Sequence, residues 1–294
     1  MITLEELDAL RRQIQRWRKA DDSIALVPTM GNLHPGHLKL VEVAMNMADR
    51  VVVSIFVNPM QFGEGEDFAA YPRTMEEDSG SLESLGTDLL FAPAVSDVYP
   101  ASSGSQTRVE VPDISDIFCG TSRPGHFVGV ATVVCKLFNM VQPDIALFGE
   151  KDFQQLMVIR RMTEDLSFPI RIHGVPTVRE EDGVARSSRN GYLSKQERAI
   201  APFIHATLQE LREAVACGFD NYVDLEQHAR EKLKNIGFEP DYVSVRDART
   251  LKEVNGYTEQ IVILAAAKLG KTRLIDNVSL TLNPSSDWGM LATH

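Results

Sequence analysis

An α/β fold, a parallel sheet with helices on both faces followed by a smaller α+β domain, is predicted by three features of the sequence. Strand-like and helix-like segments alternate over residues 24–175, the order that builds parallel sheets from crossover connections. The strand segments are continuous apolar runs and not polar–apolar alternations, so both of their faces must be covered. Beyond Val178 the order changes to helices followed by three short strands.

The elements follow in turn. An amphipathic helix opens the chain, with Leu4, Leu7, Ile14 and Trp17 at near-helical spacing. Residues 24–27 read as a short buried strand that Pro28 closes. A helix over 35–47, a strand over 51–57, a helix over 74–85 and a strand over 89–92 come next. Residues 127–141 are apolar nearly all round, the mark of a buried helix. A strand over 144–148, a helix over 153–166 that Asp152 is placed to cap, and a last strand over 170–175 complete the first unit. The boundary falls near Thr177. A helical run over 194–217 opens on Ser194-Lys195-Gln196-Glu197, a capping-box pattern, and contains Pro202, which must kink or split it. A helix over 222–235 and strands over 242–246, 260–266 and 273–276 follow, the last two joined through Leu269-Gly270-Lys271 as a hairpin. The expected domains are 1–177, Rossmann-like; 178–282, smaller and closing over the site; and 283–294, a tail that frays.

With 294 residues, 44% hydrophobic and 24% charged, the chain has the composition of a globular protein and enough length for two cores. Its longest apolar runs, 51–57 and 261–267, are far short of the roughly 20 residues that span a bilayer. The N-terminus lacks the basic patch and apolar core of a signal peptide, so a cytoplasmic location and no membrane partner are expected. The net charge of -11 repels phosphate backbones. Nucleic acid is therefore not an expected partner, and any anion site must be a local basic pocket. Cys119, Cys135 and Cys217 have neither metal nor disulfide spacing and read as buried thiols.

Thr29-Met30-Gly31-Asn32-Leu33-His34-Pro35-Gly36-His37 lies between an early strand and the helix after it, where α/β sheets bind nucleotides. His34 and His37 stand three apart at the helix N-terminus, so both rings can face one anion that also feels unpaired N–H groups and the helix dipole. Gly36 would let a base or ribose approach the backbone. Taken alone, a His-x-x-His pair is more often a helix cap or a solvated corner, and a metal site is a third possibility. Company favours the anion. Gly149-Glu150-Lys151-Asp152 follows another strand, with Lys151 placed for a phosphate and Asp152 either capping the helix or binding a ribose. Arg186-Ser187-Ser188-Arg189-Asn190 places two cations around two hydroxyls in a loop, which reads equally as a solvated turn or a phosphate loop.

Together with Pro28-Thr29-Met30-Gly31, Phe56-Val57-Asn58-Pro59-Met60-Gln61-Phe62, Tyr71-Pro72-Arg73-Thr74, Arg123-Pro124-Gly125-His126-Phe127 and Gln154-Gln155, these motifs resemble the pantothenate synthetase (pantoate:β-alanine ligase) family. That family lies within the nucleotidyltransferase and class I aminoacyl-tRNA synthetase superfamily, and the resemblance covers about residues 1–282. It implies a two-step reaction. The carboxylate of (R)-pantoate attacks the α-phosphate of ATP, and the amine of β-alanine then displaces AMP from pantoyl adenylate.

The resemblance further implies that Met30, Gly31, Asn32, Leu33, His34, Pro35, Gly36 and His37 line the ATP site, with His37 as proton donor. Gly149, Glu150, Lys151, Asp152, Val178, Arg186, Ser187, Ser188 and Arg189 would complete it, Val178 at the adenine. Gln61 and Gln155 match the residues that hold pantoate, Asn58 and Arg123 match residues nearby, and a homodimer is implied. Chemically, amide side chains suit pantoate because they bind hydroxyls without repelling its carboxylate. His34, His37, Lys151, Ser187, Ser188 and Arg189 suit catalysis as preorganised stabilisers of charge on the α-phosphate and departing pyrophosphate. Mg²⁺ would share that work, and Asp78 or Glu77 either approaches the ion or is simply solvated on an acidic helix. Arg186 departs from the family, which usually shows Met or Leu there; it either adds a phosphate contact or points to solvent. The alternatives are a nucleotidyltransferase that leaves the nucleotide on its product, a tRNA-charging enzyme, disfavoured because no basic anticodon-binding module follows, and a non-catalytic nucleotide sensor.

Overall fold

The computed structural model describes residues 1–63, 68–100 and 106–282; the expected tail lies outside the described residues. By contacts the chain forms two compact units, one of residues 1–181 and 185–191, the other of residues 182–184 and 192 onward.

The first unit contains β1 (Ile2–Leu4), α1 (Leu7–Lys19), β2 (Ile24–Thr29), α2 (Pro35–Met45), β3 (Arg50–Ile55), α3 (Met75–Leu85), β4 (Leu89–Phe91) and the single turns α4 (Val95–Val98) and α5 (Cys119–Ser122). It continues with α6 (His126–Val141), β5 (Ile145–Gly149), α7 (Phe153–Asp165) and β6 (Arg171–Val175). The six strands form one parallel sheet in the order β1-β4-β3-β2-β5-β6. Alternate residues of the central strands fill opposite layers. Val27, Val53 and Leu147 pack with Leu40, Val41 and Ala44 of α2 and Leu82 of α3. On the other face α6 lies against β2, α1 and α7, and Phe138 meets Phe148 edge-on at 6.5 Å. The continuous apolar runs thus have the two covered faces they require.

Three expectations fail here. Leu4 does not belong to the first helix. Residues Ile2–Leu4 instead extend the sheet beside β4, with the Ile2 N–H donating to the Asp88 carbonyl at 2.9 Å. Pro28 does not close its strand either; β2 runs through it to Thr29, opposite Ile55. Of the cysteines, only Cys119 is buried; Cys135 is half-buried, and Cys217, at the C-terminal end of its helix, is exposed.

The second unit holds α8 (Lys195–Ile200), α9 (Pro202–Ala216), α10 (Tyr222–Ile236), β7 (Glu239–Asp247), β8 (Gln260–Leu269) and β9 (Thr272–Thr281), the strands antiparallel in the order β7-β8-β9. Ser194 and Glu197 form the expected capping box, the Ser194 N–H donating to the Glu197 carboxylate at 2.7 Å. Pro202 splits the helical run as expected, standing at the first position of α9 where its missing N–H costs nothing. β8 and β9 meet through a two-residue loop whose first residue, Gly270, has φ +59°, as a II′ turn needs. Leu208, Leu211 and Leu233 of α9 and α10 pack on Ile261, Ile263 and Ala265 of β8.

Candidate active site

Strand order reverses between β2 and β5, which makes their C-terminal ends the topological switch point of the sheet. The ladder between these strands stops at Leu26, which pairs with Ala146. The Ile24 carbonyl accepts the Asp144 N–H, and that of Thr29 accepts the Phe56 N–H from β3. By alternation, the backbone of Pro28 therefore faces β5, to which it has no N–H to offer. The strands part there, and a cleft opens between them lined by Met30, His34, Gly36, His37, Lys151 and Asp152, by Arg186, Ser187, Ser188 and Arg189, and by Asn58, Gln61, Arg123 and Gln155. The motifs of one site, scattered through the sequence, meet within the first unit.

At the start of α2 both histidine rings serve as caps. The Nδ1 of His34 accepts the Gly36 N–H at 3.1 Å, and that of His37 accepts the His34 N–H at 3.3 Å, with ring centroids 4.0 Å apart. Pro35 has no N–H, and the His37 and Leu38 N–H groups donate to the His34 carbonyl. The unpaired backbone donors expected for an anion are thus engaged by the protein. Because both Nδ1 atoms accept, each neutral ring carries its proton on Nε2, and anion recognition passes from backbone to imidazole. Burial, then the charge of Lys151, lowers the pKa of His34 to about 4; burial, then the neighbouring His34, lowers that of His37 to about 3. At neutral pH both are uncharged donors. Gly36 serves this arrangement: a Cβ there would stand 2.8 Å from Cε1 of His34, so the space expected for a base or ribose belongs to that ring.

The loop before the helix is held from a distance. Asp78 of α3 is buried, and its two oxygens accept the Asn32 and Leu33 N–H groups at 2.8 and 2.7 Å; Thr74 donates to it as well. Asp78 is thus neither solvated nor facing the cleft, whereas Glu77 is exposed. The carboxylate holds Gly31 and Asn32 in left-handed conformations, with φ +81° and +51°. Gly31, Asn32, Leu33 and Pro35, expected at the nucleotide, are absent from the cleft wall; Asn32 and Leu33 have given their N–H groups to Asp78.

Past β5, Asp152 makes no side-chain cap to α7, contrary to expectation; it lies 3.6 Å from the Lys151 Nζ. Burial alone would raise its carboxyl, but Lys151, Arg189, His126 and His37 hold it below the usual carboxylate range. Glu150 turns away from the cleft, its carboxylate flanking Gly174 beside Arg160. The Arg186–Arg189 loop is fastened by the Arg186 N–H to the Val178 carbonyl at 2.9 Å and by Asn190 to the Ala185 carbonyl at 3.0 Å. Val178 joins the wall through this loop. Arg186 is not left to solvent: it pairs with Glu180 at 2.8 Å at the margin of the cleft.

The two neighbouring glutamines of α7 part company. Gln154 is buried and donates to the Ile114 and Ile117 carbonyls while accepting the Cys119 N–H. Gln155 lines the cleft. Gln61 accepts from Asn58 through Oε1 at 3.0 Å, and its backbone carbonyl accepts from His126 and Arg123. His126 belongs to the wall although it was not singled out from the sequence. Its Nε2 accepts from Arg123, so Nδ1 carries the proton donated to Gln61. Its place in Arg123-Pro124-Gly125-His126-Phe127 was the available signal. Phe62 and Tyr71, whose rings meet edge-on at 5.9 Å, add an apolar side.

Residues 2–279 match the family model described as pantoate-beta-alanine ligase. The chain belongs to the pantoate-beta-alanine ligase family. A pantothenate synthetase from Shewanella loihica is 56% identical to it over 95% of this chain and 99% of that one. The crystal structure of a pantothenate synthetase from Thermus thermophilus matches with a TM-score of 0.88 at 45% identity, covering 95% and 99% of the two chains. A pantoate-beta-alanine ligase from Francisella tularensis, crystallised with beta-gamma ATP and beta-alanine, matches with a TM-score of 0.77 at 34% identity over 95% and 97%. The cleft of this family member is therefore the place to look for its chemistry. Among the described residues no helix is long and apolar enough to cross a membrane.

Proposed function

We propose that the chain is an ATP-dependent ligase that condenses (R)-pantoate with β-alanine, giving pantothenate, AMP and pyrophosphate through pantoyl adenylate. One observation carries this reading: a single cleft is lined both by Lys151, Arg189, Ser187, Ser188 and two imidazoles and by the amides of Gln61 and Gln155. The cations and hydroxyls suit a polyphosphate, and the amides suit a hydroxy acid. A carboxylate oxygen of pantoate attacks the α-phosphorus, and the bond to the bridging oxygen of pyrophosphate breaks. The amine of β-alanine then attacks the acyl carbon, and AMP leaves. His37 and His34, neutral and protonated on Nε2, hydrogen-bond the phosphate oxygens without needing to be acids. The complex of the Francisella tularensis relative with beta-gamma ATP and beta-alanine supports the choice of co-substrates.

Mg²⁺ fits this donor set as an ion carried by the nucleotide. Among the described residues no group of three or more His, Cys, Asp or Glu side chains converges on one point, and Asp152 is the one carboxylate lining the cleft. Asp152 would face an ion that enters on the phosphates, where the metal adds charge neutralisation. A homodimer in the cytoplasm, where ATP is supplied, completes the proposal, and light scattering tests its stoichiometry.

The test of activity is AMP release from ATP and Mg²⁺ with pantoate and β-alanine omitted in turn. Release that requires both acids is the expected result. Nucleotide consumed without the amine and retained on the product would identify a nucleotidyltransferase instead.

A further inference from the structure

Behind Gln61 lies a polar chain that reaches out of the cleft. Asn58 is 1% exposed, and its amide is saturated by protein. Its Oδ1 accepts the Tyr99 hydroxyl at 2.8 Å and the Met60 N–H at 3.2 Å, and its Nδ2 donates to the Gly129 carbonyl at 3.1 Å and to Oε1 of Gln61 at 3.0 Å. An amide has one acceptor end and one donor end. The Met60 N–H, which can only donate, and the Gly129 carbonyl, which can only accept, fix which end of Asn58 is the oxygen, so the phenol donates to it; that in turn fixes Gln61 with its oxygen inward and Nε2 outward, 3.0 Å from the Met30 sulfur. Gly129 permits the close approach, since a Cβ there would overlap the Met60 carbonyl. Tyr99 itself does not line the cleft. It is held by the Phe56 ring at 6.1 Å and by Lys136 over its face at 5.6 Å, and burial raises its phenol pKa further above the neutral range.

We propose that Tyr99 is a positioning residue: by fastening Asn58 in place it holds the rotamer of the Gln61 amide, whose polarity Asn58 sets, so that the cleft presents N–H donors to an oxygen acceptor of the hydroxy-acid substrate. The choice of substrate rests on the function proposed above; the relay itself does not.

The direct test is the Gln61 side-chain amide signal in protein labelled with ¹⁵N-glutamine, assigned by its loss in Gln61→Ala. Tyr99→Phe removes one hydroxyl and keeps the ring. It is expected to broaden or shift the Gln61 pair while leaving the melting temperature within a few degrees. In kinetics, Tyr99→Phe should raise the pantoate KM by about 3- to 10-fold, the effect of losing one oriented hydrogen bond, with kcat and the ATP KM unchanged within about twofold. In the Gln61→Ala background it should have no further effect on the pantoate KM. An unchanged Gln61 signal in Tyr99→Phe, or an equal loss with and without Gln61, overturns the relay. If Gln61→Ala has a wild-type pantoate KM, the substrate reading fails and the amide signal alone decides the relay.

Discussion

His34 and His37 cap one helix through the same ring atom, Nδ1, and this shared use leaves Nε2 of each neutral imidazole as the donor. Their pKa values fall to about 4 and about 3, against an ordinary value near 6.5. Above pH 6.5 neither state of the chain binds these protons. Below it the unfolded chain takes them up and the native state does not, so stability drops as pH falls from 6.5 towards 4 and 3. Two histidine Cε1–H resonances, assigned by His34→Asn and His37→Asn, should stay neutral to below about pH 5. Titration of both near 6.5 would mean that the two rings are not buried as described. Saturating ATP, which brings negative charge to the rings, should move both pKa values upward.

Gly36→Ala separates stability from binding. Alanine in a helix is favoured over glycine by up to about 1 kcal/mol, so stability alone should not suffer. The new Cβ, however, meets Cε1 and Nδ1 of His34 at 2.8 and 2.9 Å and must push the ring out of its cap. The expected result is a melting temperature within a few degrees of wild type and an ATP KM raised by about tenfold or more, the order of losing one preorganised donor. Thermal melts and ATP titrations on the same preparation check it; unchanged ATP kinetics would show that the ring finds another route to the cleft.

The sequence made the sheet legible because four of its strands are apolar runs spaced by helical patterns. β1 escaped because three residues carry no period, and its place beside β4 is decided by a neighbour more than 80 positions away. Pro28 misled for a physical reason: a proline normally ends a central strand, but here its missing donor faces the gap between β2 and β5. At the site, the residue types were visible and their division of labour was not. His34 and His37 showed as a pair, yet the choice of Nδ1 as acceptor depends on ring geometry. Asp78 reads from the sequence as metal-facing or solvated because nothing local indicates that it will hold Asn32, 46 residues earlier.

Asp78→Asn tests that long-range clasp. Two N–H donors approach two different oxygens, and an asparagine can offer only one. One buried donor is left facing another, a loss of about 1–3 kcal/mol. Urea denaturation should show this destabilisation, while the Mg²⁺ concentration for half-maximal activity stays at the wild-type value. A shifted Mg²⁺ requirement at unchanged stability would instead return Asp78 to the metal.

Gln154 and Gln155 are identical in sequence terms and should differ completely in phenotype. Gln154→Ala removes a partner from the buried Cys119 N–H and from the part-buried Ile114 and Ile117 carbonyls, of which Ile117 keeps the Gly120 N–H. At roughly 0.5–1.5 kcal/mol for each hydrogen bond lost, the cost is about 1–3 kcal/mol, read as a lower denaturation midpoint. Its pantoate KM, measured well below the transition, should remain near wild type, because the side chain does not line the cleft. Gln155→Ala exposes no orphaned backbone and should keep stability within about 0.5 kcal/mol. It should raise the pantoate KM by about tenfold, the cost of a lost amide contact to a hydroxy acid. If the two phenotypes were exchanged, α7 would have to sit one residue out of register, turning Gln154 toward the cleft and Gln155 away from it.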